Sequence, residues 1–143
     1  MSLVIISQVL DAMREKVLIV EDDALIALSM REILTLVGFE VAGGAATVSD
    51  ALILAENTRP DLAIFDVRLA GRRDGIEGAM LLRGIMEIPV LFLTAQGDEG
   101  TRARAAAINP AAYLYKPVHA QEIIAAVENA LARSAPLEHA AAD

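Results

Sequence analysis

Asp61-Leu62-Ala63-Ile64-Phe65-Asp66 is a run of four apolar residues between two acids, and Pro60 precedes it. Apolar side chains at successive positions predict a short strand that is buried on both faces. Val17-Leu18-Ile19-Val20 and Pro89-Val90-Leu91-Phe92-Leu93-Thr94 repeat this pattern before and after it. Because parallel sheets covered by helices on both sides contain such strands, these runs predict an α/β fold.

Longer stretches with helical spacing of apolar residues separate these runs. Leu25, Leu28, Ile33 and Leu36 share one face of a helix predicted from Ala24, and Gly38 ends it. The remaining predicted strands are Phe39–Ala42 and Ala112–Lys116. A second helix is predicted from a capping box at Thr47 and Asp50 to about Asn57. Three more helices are predicted at Ile76 to Ile85, at Glu99 to Ala107 and at the end of the domain, where Ile123, Val127 and Leu131 share one face. This alternation predicts a doubly wound (βα)5 three-layer sandwich around a five-stranded parallel sheet.

The predicted domain covers residues 16–133. Residues 1–15 are an N-terminal extension, in which Ser7 to Lys16 predict an additional amphipathic helix; alternatively Met13 is the natural start and the preceding residues are an artefact. Residues 134–143 are Ala-rich, contain Pro136 and predict a flexible tail.

Composition restricts the function classes. The chain has 143 residues, 55 % of them hydrophobic, which suffices for one buried core. Its formal net charge of −8 would repel a phosphate backbone, so direct nucleic-acid binding is not expected. No apolar run reaches the ~20 residues that span a bilayer, and no signal peptide is recognisable, so we expect a cytoplasmic protein without membrane contact. The absence of cysteine excludes disulfides and thiolate metal sites.

Polar side chains occur where four of the predicted strands end. They are Glu21, Asp22 and Asp23 after the first strand, Asp66 on the third, Thr94 on the fourth and Lys116 on the fifth. The carboxyl ends of parallel strands meet at one edge of the sheet, where ligands bind in open α/β folds. The sequence therefore predicts that these side chains converge in one crevice.

Their chemistry suits metal-assisted phosphoryl transfer. Crowded carboxylates repel one another unless a cation lies between them, and Mg²⁺ prefers oxygen ligands. Asp66 is then a candidate nucleophile toward phosphorus, Lys116 supplies a positive charge and Thr94 supplies a hydroxyl donor. Taken singly, each residue has an ordinary structural explanation: a helix N-cap for Asp22 or Asp23, a turn for Asp66, a strand residue for Thr94 and a solvated strand end for Lys116. The combination favours the functional interpretation.

Four motifs resemble those of the receiver domain of two-component response regulators, the CheY-like family. They are Val20-Glu21-Asp22-Asp23, Pro60-Asp61-Leu62-Ala63-Ile64-Phe65-Asp66, Leu93-Thr94-Ala95 and Lys116-Pro117, in the family's order and spread over about Lys16 to Arg133. The resemblance implies the strand order 2-1-3-4-5. It also implies a signalling domain rather than an enzyme, with no chemistry beyond its own phosphorylation and dephosphorylation.

The resemblance also implies roles for individual residues. Asp66 would be the phosphoacceptor, and Thr94 and Lys116 would contact the phosphoryl group. Mg²⁺ or Mn²⁺ would be held by Asp22, Asp66 and the backbone carbonyl of Arg68, with Glu21 contributing through water. Tyr113 would be the switch aromatic, turning inward as Thr94 moves, and the Lys116-Pro117 bond would be cis. For Tyr115 we favour plain strand packing.

Partners follow from the same resemblance. The phosphodonor would be a sensor histidine kinase or a phosphotransfer protein, and phosphorylation would switch a surface for an unidentified downstream protein. A homodimer through the last helix and the fifth-strand face is compatible with the family pattern. No output domain follows, which favours a stand-alone receiver over a fragment of a larger regulator or hybrid kinase.

The loop after Asp66 departs from the family pattern. Ala70 stands where Pro is usual, and the run to Asp74-Gly75 is one residue longer than the commonest form. Arg68 and Gln96 occupy positions that tune the lifetime of the acyl phosphate in this family.

Two other classes are less favoured. A phosphatase of the haloacid-dehalogenase type needs a second Asp where Arg68 stands. A flavin or nucleotide binder needs donors for phosphate in the first loop, where Glu21-Asp22-Asp23 would repel it.

Overall fold

The computed structural model describes residues 2–95 and 97–134, so predictions for Gln96 and residues 135–143 lie outside the described residues. The helices are α1 (Leu3–Met13), α2 (Ala24–Leu36), α3 (Val48–Thr58), α4 (Gly75–Arg83), α5 (Glu99–Ala107) and α6 (Ala120–Ser134). The strands are β1 (Lys16–Val20), β2 (Glu40–Ala45), β3 (Leu62–Asp66), β4 (Val90–Thr94) and β5 (Ala112–Tyr115). All described strand pairs are parallel and the order is β2-β1-β3-β4-β5, which confirms the predicted fold class and topology.

Helices cover both faces of the sheet. Alternate strand residues such as Leu18, Phe65 and Phe92 pack with α3, α4 and α5 on one face. The intervening residues, such as Ile19 and Ile64, pack with α2 and α6 on the other face. The apolar runs therefore have both sets of side chains buried, as the sequence pattern predicts.

The second strand is longer than predicted. The sequence places it at Phe39–Ala42, with Gly43 and Gly44 beyond its end, but β2 continues to Ala45. Ala42 is an extra residue opposite the step between Val17 and Leu18, and the pairing with β1 resumes at Gly43. Backbone pairing with β1 outweighs the low strand propensity of glycine in this edge strand.

Several helix boundaries also differ from the prediction. The N-terminal helix spans Leu3–Met13 rather than Ser7 to Lys16, because Lys16 pairs with Glu40 in the sheet. Its side chains from Leu3 to Val9 are exposed. Helix α4 begins and ends earlier than predicted, since Gly84 is its C-cap. Ser134, assigned to the tail from the sequence, is the last residue of α6.

Helix caps fix where the strand-end loops become helices. Thr47 caps α3 by accepting from the Asp50 N–H, which is one half of the predicted capping box. A reciprocal capping box occurs instead at Asp74 and Glu77, at the start of α4. Within the described residues, no helix has the length and apolar character needed to cross a bilayer.

Candidate functional site

The carboxyl edge of the sheet gathers the predicted side chains. Carboxylate oxygens of Glu21, Asp22 and Asp66 all lie within 4.8 Å of one another. The Lys116 ammonium donates to Glu21 Oε1 at 2.8 Å and to Asp66 Oδ2 at 3.0 Å. The sequence-based expectation of convergence is therefore met for these four residues.

Asp66 is held by its own loop as well as by Lys116. It is 6 % exposed at the end of β3, and its Oδ1 accepts the backbone N–H of Arg68 at 3.2 Å. Its Oδ2 faces the Lys116 ammonium, so each carboxylate oxygen has a donor. One oxygen is thus oriented by the following loop and the other by Lys116, the residue directly after β5.

Glu21 and Lys116 form the buried part of the cluster. Glu21 is 4 % exposed, and its Oε2 accepts the Asp23 N–H at 3.1 Å. Burial raises the pKa of Glu21 to about 7; the bond from Lys116 opposes this shift and the neighbouring Asp66 adds to it. For Lys116, burial opposes the charged form, but the bonds to Glu21 and Asp66 outweigh it and raise the pKa of the ammonium.

The two remaining residues of the acidic run differ in role. Asp23 caps α2, since its Oδ1 accepts from Leu25 and Ile26 at 2.9 and 3.1 Å. This is the structural role that the sequence left open for it. Asp22 is exposed, and its carboxylate lies close to those of Glu21 and Asp66, so it is the solvent-accessible acid of that cluster.

Thr94 is 4 % exposed at the carboxyl end of β4, next to β3 in the sheet. Its backbone carbonyl accepts from the Lys116 N–H at 2.7 Å, which ties the ends of β4 and β5 together. The Lys116-Pro117 bond is cis, as the family resemblance implies.

Tyr113 packs its ring edge-on against Phe92 at 6.2 Å and against Tyr115 at 5.6 Å. Its hydroxyl is buried and has no hydrogen-bond partner among the described residues. Tyr115 is 41 % exposed, and the Arg102 guanidinium lies over both tyrosine rings at 5.5 and 5.7 Å. The predicted strand packing of Tyr115 therefore includes a cationic neighbour from α5.

Gly75 supports the site and was not singled out from the sequence. A Cβ on this residue would stand 1.9 Å from the backbone carbonyl oxygen of Asp66. Its N–H donates to the carbonyl of Val67 at 2.8 Å, so α4 begins directly against the end of β3. The only sequence signal is a glycine after a capping Asp, which does not by itself reveal this close approach.

The donor set fits a divalent cation. Three carboxylates face one ammonium, which leaves an excess of two negative charges when all are ionised. Carboxylate oxygens are the ligands that Mg²⁺ and Mn²⁺ prefer, and a cation there would relieve the repulsion between Glu21 and Asp66.

Comparisons with known proteins point to one family. The family profile described as the response regulator receiver domain matches residues 17–128. The transcriptional regulatory protein PdtaR of Mycobacterium tuberculosis is 38 % identical over 122 residues, which are 85 % of this chain and 59 % of PdtaR. The DNA-binding response regulator MtrA of Mycobacterium bovis is 32 % identical over 87 % of this chain and 54 % of its own length. The chain thus spans only a little more than half of these relatives.

Solved structures agree with the sequence relatives. The receiver domain of a modulated diguanylate cyclase from Desulfovibrio desulfuricans G20 has a TM-score of 0.79 and 37 % identity, over 84 % of this chain and 95 % of that one. A CheY-like receiver domain protein from Methanospirillum hungatei JF-1 has the same TM-score and coverage at 26 % identity.

Proposed function

Because the chain belongs to the response-regulator receiver domain family of two-component signalling, we propose that Asp66 accepts a phosphoryl group from a sensor histidine kinase or a phosphotransfer protein. The observation that carries the proposal is the contact at 3.0 Å between the Lys116 ammonium and Asp66 Oδ2. It brings a compact positive charge to the carboxylate from a residue that follows Asp66 by 50 positions, directly after β5.

In the proposed step, an oxygen of Asp66 forms a bond to phosphorus as the bond from phosphorus to the donor's histidine nitrogen breaks. The electron pair of the broken bond stays on that nitrogen, which is protonated as it leaves. Lys116 is positioned to neutralise charge on the phosphoryl oxygens, and Thr94 can donate its hydroxyl to one of them. The product is an acyl phosphate on Asp66.

The proposed metal ligands are Asp22, Asp66 and the backbone carbonyl of Arg68, with Glu21 contributing through water. Mg²⁺ or Mn²⁺ bound there supplies neutralisation of the phosphoryl charge. The clustering of the three carboxylates supports this assignment. Burial of Glu21 beside Asp66 also favours a cation over two bare negative charges.

We further propose that Thr94 and Tyr113 transmit phosphorylation to the surface. A phosphoryl group adds nearly two negative charges beside the buried Thr94, which attracts its hydroxyl. The β4–α5 connection begins at this residue, so its displacement changes the packing around Tyr113. The unpartnered buried hydroxyl of Tyr113 supports this role, because a shift of the loop can provide it with an acceptor.

The resulting function is a protein-interaction switch in the cytoplasm with no external substrate of its own. We propose a downstream protein target that recognises the surface formed by α5, β5 and α6. A homodimer through α6 and the β5 face remains a further proposal. Both the stand-alone receiver and the receiver of a larger regulator are consistent with this site.

Intact-mass analysis tests the acceptor. The protein is incubated with acetyl phosphate and Mg²⁺, and its intact mass is then measured. Denaturation and alkaline pH are both avoided before the measurement, so that the acyl phosphate is not hydrolysed. We expect one phosphoryl addition in the native chain and none in Asp66→Asn. Asp23→Asn is the matched control, since asparagine preserves the α2 cap and this variant should still gain the group. A phosphoryl addition to Asp66→Asn would show that the acceptor is assigned wrongly.

A further inference from the structure

A cavity separate from the strand-end site lies beside the loop that follows Asp66. It has a volume of about 530 Å³ and opens between the first turn of α3 and the loop before α4. We call it the arginine pocket, and its lining includes Thr47, Ser49, Gly71, Arg72, Arg73 and Glu77. None of the residues assigned to phosphoryl transfer lines it.

The charge of the pocket contrasts with that of the chain. Arg72 and Arg73 are the only adjacent pair of basic residues in a sequence with a net charge of −8. Arg73 makes a long ion pair of 3.9 Å with Glu77, and both side chains are about half exposed. Within residues 2–95 and 97–134, Arg72 has no hydrogen bond or ion pair. The lining therefore carries an excess positive charge. The N–H donors of the Arg72 guanidinium form no hydrogen bond within the described residues, so they can bind a ligand.

The loop that carries the arginines is anchored at both ends. Gly71 has φ +96°, a left-handed conformation that reverses the chain direction. A Cβ on this residue would lie 3.9 Å from Thr47 Cγ2, so this end of the loop packs against the residue that caps α3. At the far end, Asp74 forms the capping box with Glu77 and an ion pair of 3.0 Å with Arg104 of α5. A pre-positioned loop loses less conformational entropy on binding than a free one does. This loop is also the segment in which the sequence departs from the family pattern.

We propose that the arginine pocket binds an acidic peptide segment of a partner protein. Guanidinium groups match carboxylates through paired hydrogen bonds. The attraction comes from the arginines rather than from the start of α3, because Thr47 already caps the Asp50 N–H and Asp50 adds a negative charge in the first turn. This proposal does not depend on Asp66 being the phosphoacceptor.

The openness of the site favours a peptide over a single free anion. Exposed ion pairs are weakened by water and salt, so one contact with Arg72 or Arg73 gives little affinity. Carboxylates spread along a peptide can engage both arginines at once, and linked contacts reinforce each other. A compact phosphate bound to Arg73 would compete with Glu77, which already pairs with this guanidinium at 3.9 Å.

The test is a titration of the ¹⁵N-labelled full chain with a hexaglutamate peptide in low-salt buffer, followed through amide chemical shifts. We expect shifts at Thr47, Ser49 and Gly71, and a dissociation constant that rises about fivefold in Arg72→Ala and in Arg73→Ala. Arg31→Ala is the matched control, because Arg31 is exposed on α2, on the opposite face of the sheet, and its loss should change affinity less than about twofold.

Three results would overturn the proposal. The amides lining the pocket do not shift with the peptide; the arginine variants bind it as tightly as the native chain does; or inorganic pyrophosphate shifts these amides while the peptide does not. The double variant Arg72→Lys with Arg73→Lys separates charge from loop structure, since it should retain most of the affinity if the loop is intact.

Discussion

Replacing Gly75 by alanine should displace the phosphoacceptor. The new Cβ would lie 1.9 Å from the backbone oxygen of Asp66, whereas real Cβ contacts essentially never fall below 3.0 Å. The difference of 1.1 Å (3.0 − 1.9) must be met by movement of backbone, because the atom in the way belongs to the main chain of β3. Overpacking of a rigid site costs roughly 1–3 kcal/mol, and the rigidity of both partners places this variant near 3 kcal/mol.

Urea unfolding and acetyl phosphate labelling measure the two consequences. We expect Gly75→Ala to lower the unfolding midpoint and to slow phosphoryl acceptance, since Asp66 and the N–H of Arg68 no longer keep their relative positions. Gly100→Ala is the matched control: it lies inside α5, and its Cβ would meet Asp98 Oδ1 at an ordinary 3.5 Å. Alanine there should stabilise the helix by up to ~1 kcal/mol. A Gly75→Ala protein with native stability and native labelling would refute the steric argument.

Three further variants probe the site and the chain around it. Lys116→Met should abolish phosphoryl acceptance yet strengthen Mg²⁺ binding measured by calorimetry, because it removes the positive charge that competes for Glu21 and Asp66; unchanged labelling would contradict the role given to the ammonium. Glu21→Gln should raise the urea midpoint in metal-free buffer at pH 8 but not near pH 4.5. The pKa of Glu21 is about 7 in the folded protein, against an ordinary value of 4.5 for a glutamate carboxyl, so its contribution to stability is present at low pH and is lost as the pH rises between these values; an equal effect at both pH values would exclude this titration. Deleting residues 2–9 should leave the urea midpoint unchanged, because the apolar side chains of α1 from Leu3 to Val9 are exposed and lie in neither core cluster; a lower midpoint would show that this part of α1 supports the fold.

Prediction of strand and helix boundaries from the sequence fails where long-range backbone pairing decides the local structure. Gly43 and Gly44 are poor strand residues, yet β2 includes them because their backbone groups bond to β1 and an extra residue is absorbed at Ala42. The N-terminal helix ends earlier than its apolar pattern predicts, since Lys16 is taken into the sheet. Both differences arise from a neighbour that no local window contains.

The amino-acid sequence by itself determined the class of fold and the types of side chain at the strand ends. Burial on both faces requires apolar residues at successive positions, and this requirement is visible in Leu62 to Phe65 without coordinates. The tertiary structure alone decided which of these side chains touch. The contact of Lys116 with Glu21 joins residues 95 positions apart, and the contact of Gly75 with Asp66 depends on how α4 starts against β3. Such distances follow from strand order and packing, which act across the whole chain rather than within any one segment.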